Sequence, residues 1–206
     1  MSPRAYRLGQ RQAAVEQTRA RIVEAARALL SAEGGVAGFS VDAVARQAGV
    51  ARMTVYYQFG SKRGLLEALF DDLAARGGMA GIAAVFHEPE PLAALHTLIA
   101  VFARLWATDR LIMRRVRSMA ALDPELGQAV RNRDGWRRNH CRTVAGRLAE
   151  RHGRPAPDHM DEVVDIWHTL TSFETFDTLA GEGRPIEAVA PAVERLARAA
   201  AGFAEG

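Results

Sequence analysis

The sequence predicts an all-α protein, with a three-helix helix-turn-helix unit at the N-terminus followed by a larger helical unit. Apolar residues recur at spacings of three and four along nearly the whole chain, and the period-two alternation of a strand is missing. Gly-Gly pairs at 34–35 and 77–78 separate the periodic stretches. With 206 residues and 49% hydrophobic content, the chain can bury a sizeable core. The expected division is a flexible basic arm over residues 1–14, a helix-turn-helix domain over 15–76 and a second helical domain over 77–206, with about nine helices in total.

Each helix is expected from its own residues. The first runs from about Val15 to Glu33, with Ile22, Ala26, Leu29 and Leu30 inward. Ser40 caps the second, whose Val41, Val44, Ala45 and Ala48 fall at i, i+3, i+4 and i+7. Gly49 then breaks it, because glycine adopts a left-handed backbone without steric penalty. The segment Arg52 to Tyr57 forms a third helix, too short to stand alone in water. Val55 and Phe59 are placed against a core, leaving Arg52, Thr54, Tyr56 and Tyr57 near the surface. A fourth helix carries Leu66, Leu69, Phe70 and Leu73 on one face.

Beyond the second glycine pair, the stretch from Leu92 to Trp106 holds only His96, Thr97 and Arg104 as polar residues, so this helix must be enclosed on most sides. A shorter helix spans about Asp109 to Met119. Asp123-Pro124 reads as an N-cap followed by proline at the first helical position, opening a long helix that ends near Arg151. Another runs from about Asp158 to Ala180, with Val163, Ile166, Trp167, Leu170, Phe173 and Phe176 as its apolar set. Last, Ile186, Val189, Val193, Leu196, Ala200 and Phe203 follow the period of a helix-helix seam, with Pro191 marking the true start of that helix.

Charge separates the two parts. Residues 1–76 hold 11 Lys and Arg against 7 Asp and Glu, whereas residues 77–206 hold 16 against 17. Between residues 43 and 66 the charged groups are Arg46, Arg52, Lys62 and Arg63, without an acid, which makes a field suited to phosphate. Side-chain chemistry then suggests roles. Arg52 offers a fork to guanine, Thr54 suits a base edge or a thymine methyl, and Met53 suits an apolar contact. Tyr56, Tyr57 and Lys62 suit phosphate, the lysine adding to the positive end of its helix, although Tyr57 also reads as a packing residue. Ser40 and Ala51, opening the two short helices, complete the expected DNA-facing set. Arg4, Arg7 and Arg11 either reach DNA from the arm or belong to a tail without a role.

The run Val50-Ala51-Arg52-Met53-Thr54-Val55-Tyr56-Tyr57-Gln58-Phe59-Gly60-Ser61-Lys62, followed by Gly64-Leu65-Leu66, resembles the signature of the TetR family of transcriptional regulators. The resemblance covers roughly residues 15 to 73. It implies a homodimer that binds a palindromic double-stranded operator, most often as a repressor, and is released by a small-molecule effector. It also implies that the last two helices, here about 158 to 180 and 188 to 203, pair with their copies in a four-helix bundle. Two positions depart from the family pattern: Ala51 replaces a small hydroxyl residue, removing one cap, and Gln58 stands where histidine or asparagine is frequent.

The seam, read together with a single short reading helix per chain, points to a two-fold interface through Phe176, Val189, Val193, Leu196, Ala200 and Phe203. An ordinary amphipathic helix packed on its own core is the competing reading. For the effector, Trp106, Arg110, Met113, Trp136, His140, Trp167 and Phe173 are the candidate contacts, a mostly aromatic set suited to a greasy ligand. Arg110, Arg114 and Arg117 form either an anion-binding cluster or a solvated face. Asp161, Asp165 and His168 share a helix face, yet without a cysteine cluster or a second histidine at ligand spacing they are not assigned as a metal site.

Cys141, the single cysteine, is expected to be a buried thiol. There is no signal-peptide pattern and no run of about 18 apolar residues, so a cytoplasmic protein without membrane contact is expected. Neither a Gly-rich phosphate loop nor a nucleophile elbow occurs, and no catalytic residue, cofactor or metal is expected. A helical small-molecule-binding protein without operator contact is the alternative reading, and an enzyme the third.

Overall fold

The computed structural model describes residues 3–203, apart from the side chains of residues 3–9 and 11. These residues form twelve α-helices and no strand. The first five are α1 (Pro3–Ser31), α2 (Gly35–Gly38), α3 (Val41–Ala48), α4 (Arg52–Phe59) and α5 (Lys62–Arg76). The remainder are α6 (Ile82–His87), α7 (Pro91–Ala107), α8 (Arg110–Leu122), α9 (Pro124–His152), α10 (Met160–Leu170), α11 (Phe173–Ala180) and α12 (Ala190–Ala200).

The expected caps form. Ser40 Oγ accepts from Ala43 N at 3.1 Å, and Gly49 closes α3 at φ 63°. Asp109, not among the expected caps, accepts from Ile112 N at 3.1 Å. Asp123 accepts from Glu125 N at 3.0 Å and Leu126 N at 3.2 Å, with Pro124 opening α9. Helix α7 runs through the middle of the second domain, with Leu95, Leu98 and Val101 fully enclosed.

Three elements differ from the sequence expectation. Helix α1 begins at Pro3 instead of near Val15, because the intervening Arg, Gln and Ala residues are good helix formers and proline is tolerated in a first turn. The backbone at Arg4, Arg7 and Arg11 is therefore helical, while their side chains lie outside the described ones. Short helices α2 and α6 form where loops were expected. The expected helix from Asp158 to Ala180 is split into α10 and α11. There Thr171 Oγ1 donates to the Trp167 carbonyl at 2.7 Å, and Ser172, in extended backbone, caps α11 by accepting from Thr175 N at 3.2 Å. Trp106 Nε1 donates to the Thr171 carbonyl at 3.0 Å, satisfying a buried group at the break.

Arginines join the layers. Arg138 and Arg142 of α9 meet Asp165 and Asp161 of α10 at 2.5 and 2.6 Å, and Arg137 meets His168 Nε2 at 2.9 Å. The Asp161, Asp165 and His168 face is thus one half of an interhelical zipper. Between the domains, Arg115 of α8 donates to the Leu30 and Ala32 carbonyls at the end of α1, the latter at 2.7 Å. Arg133 of α9 holds α5 through Asp71 at 2.6 Å and the Glu67 carbonyl at 3.1 Å. Cys141 is fully enclosed, 3.8 Å from Thr171 Oγ1, and burial pushes its pKa up to about 11, which leaves a protonated, inert thiol at neutral pH.

Candidate nucleic-acid interface and effector cavity

Helix α4 is held by its neighbours. Val55 is buried, and Arg19 of α1 donates to the Gln58 carbonyl at 2.9 Å with its guanidinium 4.4 Å from the Phe59 ring centroid. The exit turn needs glycine twice: Gly60 sits at φ 74°, and a Cβ on Gly64 would overlap the Phe59 carbonyl oxygen. Ser61 then caps α5, accepting from Gly64 N at 3.0 Å.

This leaves a polar and aromatic face exposed. Met53 is 72% and Tyr57 86% exposed, so neither packs into the core. Arg52 is also exposed, but its fork is occupied within the chain: it donates to Tyr56 Oη at 3.2 Å and pairs with Asp42 at 3.3 Å. Asp42 lies one residue before the acid-free stretch and was not among the expected site residues. It sits in the first turn of α3, where its carboxylate meets the Arg52 guanidinium. Ala51 is exposed and gives α4 no side-chain cap, Thr54 is half-buried, and Ser40 spends its hydroxyl on α3. Lys62 opens α5, with Nζ 5.9 Å from the Phe39 ring centroid.

In the second domain a cavity of about 260 Å³ opens between α5, α7, α8 and α9. Phe70 and Ala74 of α5, Met79, Phe102, Leu105 and Trp106 of α7, Met113 of α8, and Val130 and Trp136 of α9 supply its apolar surface. Arg117, Arg133, Asp134, Arg137, His140 and Asp71 also line it. Trp136 is 66% exposed and therefore stands at the mouth. Of the expected contacts, Trp106, Met113, Trp136 and His140 meet here, whereas Arg110, Trp167 and Phe173 do not line the cavity. Trp167 is fully enclosed and donates to the Ala197 carbonyl at 2.8 Å, joining α10 to α12. Phe173 packs edge-on against Trp106, with centroids 5.8 Å apart.

Arg110 and Arg114 share Asp177 of α11. Burial raises the pKa of this carboxyl, but hydrogen bonds from Arg114 and Arg110 prevail and hold it below the usual range. Arg117, the third of that group, turns inward. The α9 residues missed from sequence, Arg133 and Arg137, share a face with Trp136 and His140 at i, i+4, i+3 and i+7, so the signal was present once the helix phase is read.

The apolar seam of the last helix divides. Phe176, Val189 and Val193 are at most 2% exposed, packed inside their own chain, so the expectation that they face a partner is corrected. Ala200 and Phe203 are half-buried, Phe203 lying edge-on to His152 at 5.6 Å between centroids. Leu196 alone of the set is widely exposed, at 51%. With Ala192 and Ala199 it forms an outward stripe at i, i+4 and i+7 on α12.

Burial lowers the pKa of His140, and burial followed by Arg137 lowers that of His168. Both are therefore neutral in the fold at pH values where the unfolded chain, at the ordinary 6.5, already binds a proton. The resulting stability is complete above pH 6.5 and is lost as pH falls from there through the lowered folded values. Urea unfolding midpoints should drop between pH 7 and pH 5. Replacing both histidines by glutamine should flatten that segment and leave the later carboxylate-driven loss, which starts near 4.5, unchanged.

Fold and surface together define a helical protein with an exposed helix-turn-helix at one end and a cavity of about 260 Å³ between α5 and the helices α7, α8 and α9. Residues 22–69 match the family model for bacterial regulatory proteins, tetR family. The chain thus carries a TetR-type helix-turn-helix domain on a TetR-like fold. It is similar to a TetR transcription regulator from Haloarcula marismortui at 20% identity, covering 91% of this chain and 97% of that one, with a TM-score of 0.69. A transcriptional regulator from Saccharomonospora viridis in complex with choline aligns at 16% identity over 86% and 94% of the two chains, TM-score 0.66. FadR from Bacillus subtilis in complex with stearoyl-CoA aligns at 18% identity over 90% and 98%, TM-score 0.64. No curated protein matches the chain. No single helix among the described residues is long and apolar enough to cross a membrane.

Proposed function

We propose that this chain is a ligand-responsive transcriptional repressor, cytoplasmic and without enzymatic activity, that binds a palindromic operator as a homodimer and leaves it when a small molecule fills the cavity. One observation carries the reading: α5 belongs to both sites. Its first residue, Lys62, follows the exposed face of α4, and its Phe70, Asp71 and Ala74 line the cavity. A ligand that favours a shifted α5 moves both reading helices of a dimer, whose ideal spacing on B-DNA is about 34 Å, one helical turn. It must prefer that state, since equal affinity for both shifts nothing. The small ligands held by two fold neighbours, choline and stearoyl-CoA, support ligand response without indicating which ligand this chain takes.

In this reading Arg52, Met53 and Thr54 meet bases, and Tyr56, Tyr57 and Lys62 meet phosphates, flanked by Ser40 and Ala51. The test is a gel shift with the DNA upstream of the protein's own gene, repeated across salt concentrations. Specific binding should weaken steeply with salt, at about −0.9 in the log-log slope per neutralised phosphate. Lys62→Ala should weaken all sequences alike and reduce that slope by about one unit, whereas Arg52→Ala should relax preference at particular bases by about 1 to 3 kcal/mol. Binding that is indifferent to sequence and to both substitutions would leave a small-molecule-binding protein without an operator.

A further inference from the structure

Among the described residues, three buried side-chain nitrogens lack a hydrogen-bond partner: Arg117 Nε, Arg137 Nε and His140 Nδ1. All three residues line the same cavity. A buried polar group left unpaired is costly, and the two arginine nitrogens are donors only, so their complement is an acceptor. Arg137 is only 4% exposed, with its two terminal nitrogens already engaged by Asp134 and His168. Its guanidinium is thus fixed in place before any ligand arrives.

The charges point the same way. Arg117, Arg133 and Arg137 line the cavity against two carboxylates, Asp71 and Asp134, one positive charge in excess within the lining, while Glu174, outside it and 60% exposed, pairs with Arg117 at 3.0 Å. Each carboxylate is engaged: Asp71 by Arg133 at 2.6 Å, and Asp134 by Arg117 at 3.2 Å and Arg137 at 3.1 Å. Because Glu174 stands in water and its pairing is screened, a single negative charge matches the enclosed set, while a phosphate monoester, at about −1.5 to −2, exceeds it. Phe102, Trp106 and Met113 add apolar and π surface to the lining, with the Arg117 guanidinium 5.7 Å from the Trp106 ring centroid, and the Trp106 indole N–H is already spent on the Thr171 carbonyl. These three side chains therefore offer a ligand only apolar and π contacts. At about 260 Å³ the space falls just under the range of about 300 to 1,000 Å³ typical of drug-sized ligands.

We propose that the cavity takes a small monocarboxylate with an apolar or aromatic body, its carboxylate received by Arg117, Arg137 and His140. This rests on the cavity being the effector site, and it specifies the chemistry of that site. The test uses two acids, octanoate and 4-phenylbutyrate, beside their matched alcohols, octan-1-ol and 4-phenylbutan-1-ol, and the amine 4-phenylbutylamine. Binding is read by calorimetry and by fluorescence, since Trp106 and Trp136 both line the cavity. At least one acid should bind tenfold or more tightly than its alcohol, and the amine should bind most weakly. Arg117→Gln should erase the acid-over-alcohol ratio while the alcohol's affinity stays within about twofold. Arg137→Gln should do the same, with circular dichroism confirming the fold, and Arg117 carries the test if the buried Arg137 variant unfolds. Equal binding of acid and alcohol, no binding of either acid, or an acid preference that survives Arg117→Gln would each overturn the proposal. The operator gel shift separates it from the wider reading. An acid that binds with the expected preference but leaves operator affinity unchanged keeps the carboxylate site and removes its regulatory role, whereas operator release by a neutral ligand alone keeps regulation and removes the carboxylate.

Discussion

If the proposed homodimer forms through α12, Leu196→Glu is expected to turn it into monomers and, with that, to remove the proposed operator binding. In the single chain this side chain is 51% exposed on α12 and is joined by Ala192 and Ala199 in an outward apolar stripe. Small residues beside a large one let a second helix approach closely. Ile166 and Leu170, half-buried on the adjacent α10, extend the surface a partner would cover. A carboxylate there costs the chain little when it is alone, because the position faces water. Buried against a partner helix, a carboxylate left without a pairing cation costs several kcal/mol. At about 1.4 kcal/mol per tenfold, dimerisation should weaken by a hundredfold or more. Sedimentation should show the monomer, with unchanged helical content by circular dichroism. An unchanged dimer would move the interface away from α12.

The second large effect is expected at Gly64. Its φ is unexceptional, so the constraint is space: a Cβ would overlap the Phe59 carbonyl oxygen, which is backbone and cannot swing aside. Gly64→Ala must therefore open the corner between α4 and α5, where Ser61 caps α5 and Gly60 closes α4. About 3 to 5 kcal/mol is expected, at the large end of single substitutions. The loss falls on the N-terminal domain, since α4 is too short to persist without that corner. Hydrogen exchange should accelerate in α3 to α5 more than in α7 to α9, and operator affinity should fall with it. Wild-type stability in Gly64→Ala would mean that the corner relaxes without strain.

How much of this was legible in the chain can be judged residue by residue. The turn at Gly49, the caps at Ser40 and Asp123, and the enclosure of α7 were all readable, because each is set by residues within one or two turns. Exposure of the α4 face was readable for the same reason, since two short apolar contacts orient eight residues. The cavity was half readable. Trp106, Met113, Trp136 and His140 were expected there, but Arg133 and Arg137 were missed, and Trp167, Phe173 and Arg110 were placed there although they serve other contacts. Apolar pattern marks a side chain as inward without saying which of several neighbours it meets.

The same limit governed the last helix. Its three-four spacing determined that a face of α12 is buried, and both a partner helix and the chain's own α7 and α10 satisfy that pattern equally. Only the packed fold assigns Val189 and Val193 to the interior and leaves Leu196 outside. Likewise, Asp42 sits ten residues from Arg52, and Asp71 sixty-two from Arg133. Local sequence determined most of the helices, the caps at Ser40 and Asp123 and the exposed face of α4, since hydrogen bonds and apolar period act over a few residues. Which cation meets which carboxylate, and which nitrogens are left without a partner around the cavity, was decided by tertiary packing, because such pairs depend on the crossing of helices far apart in the chain.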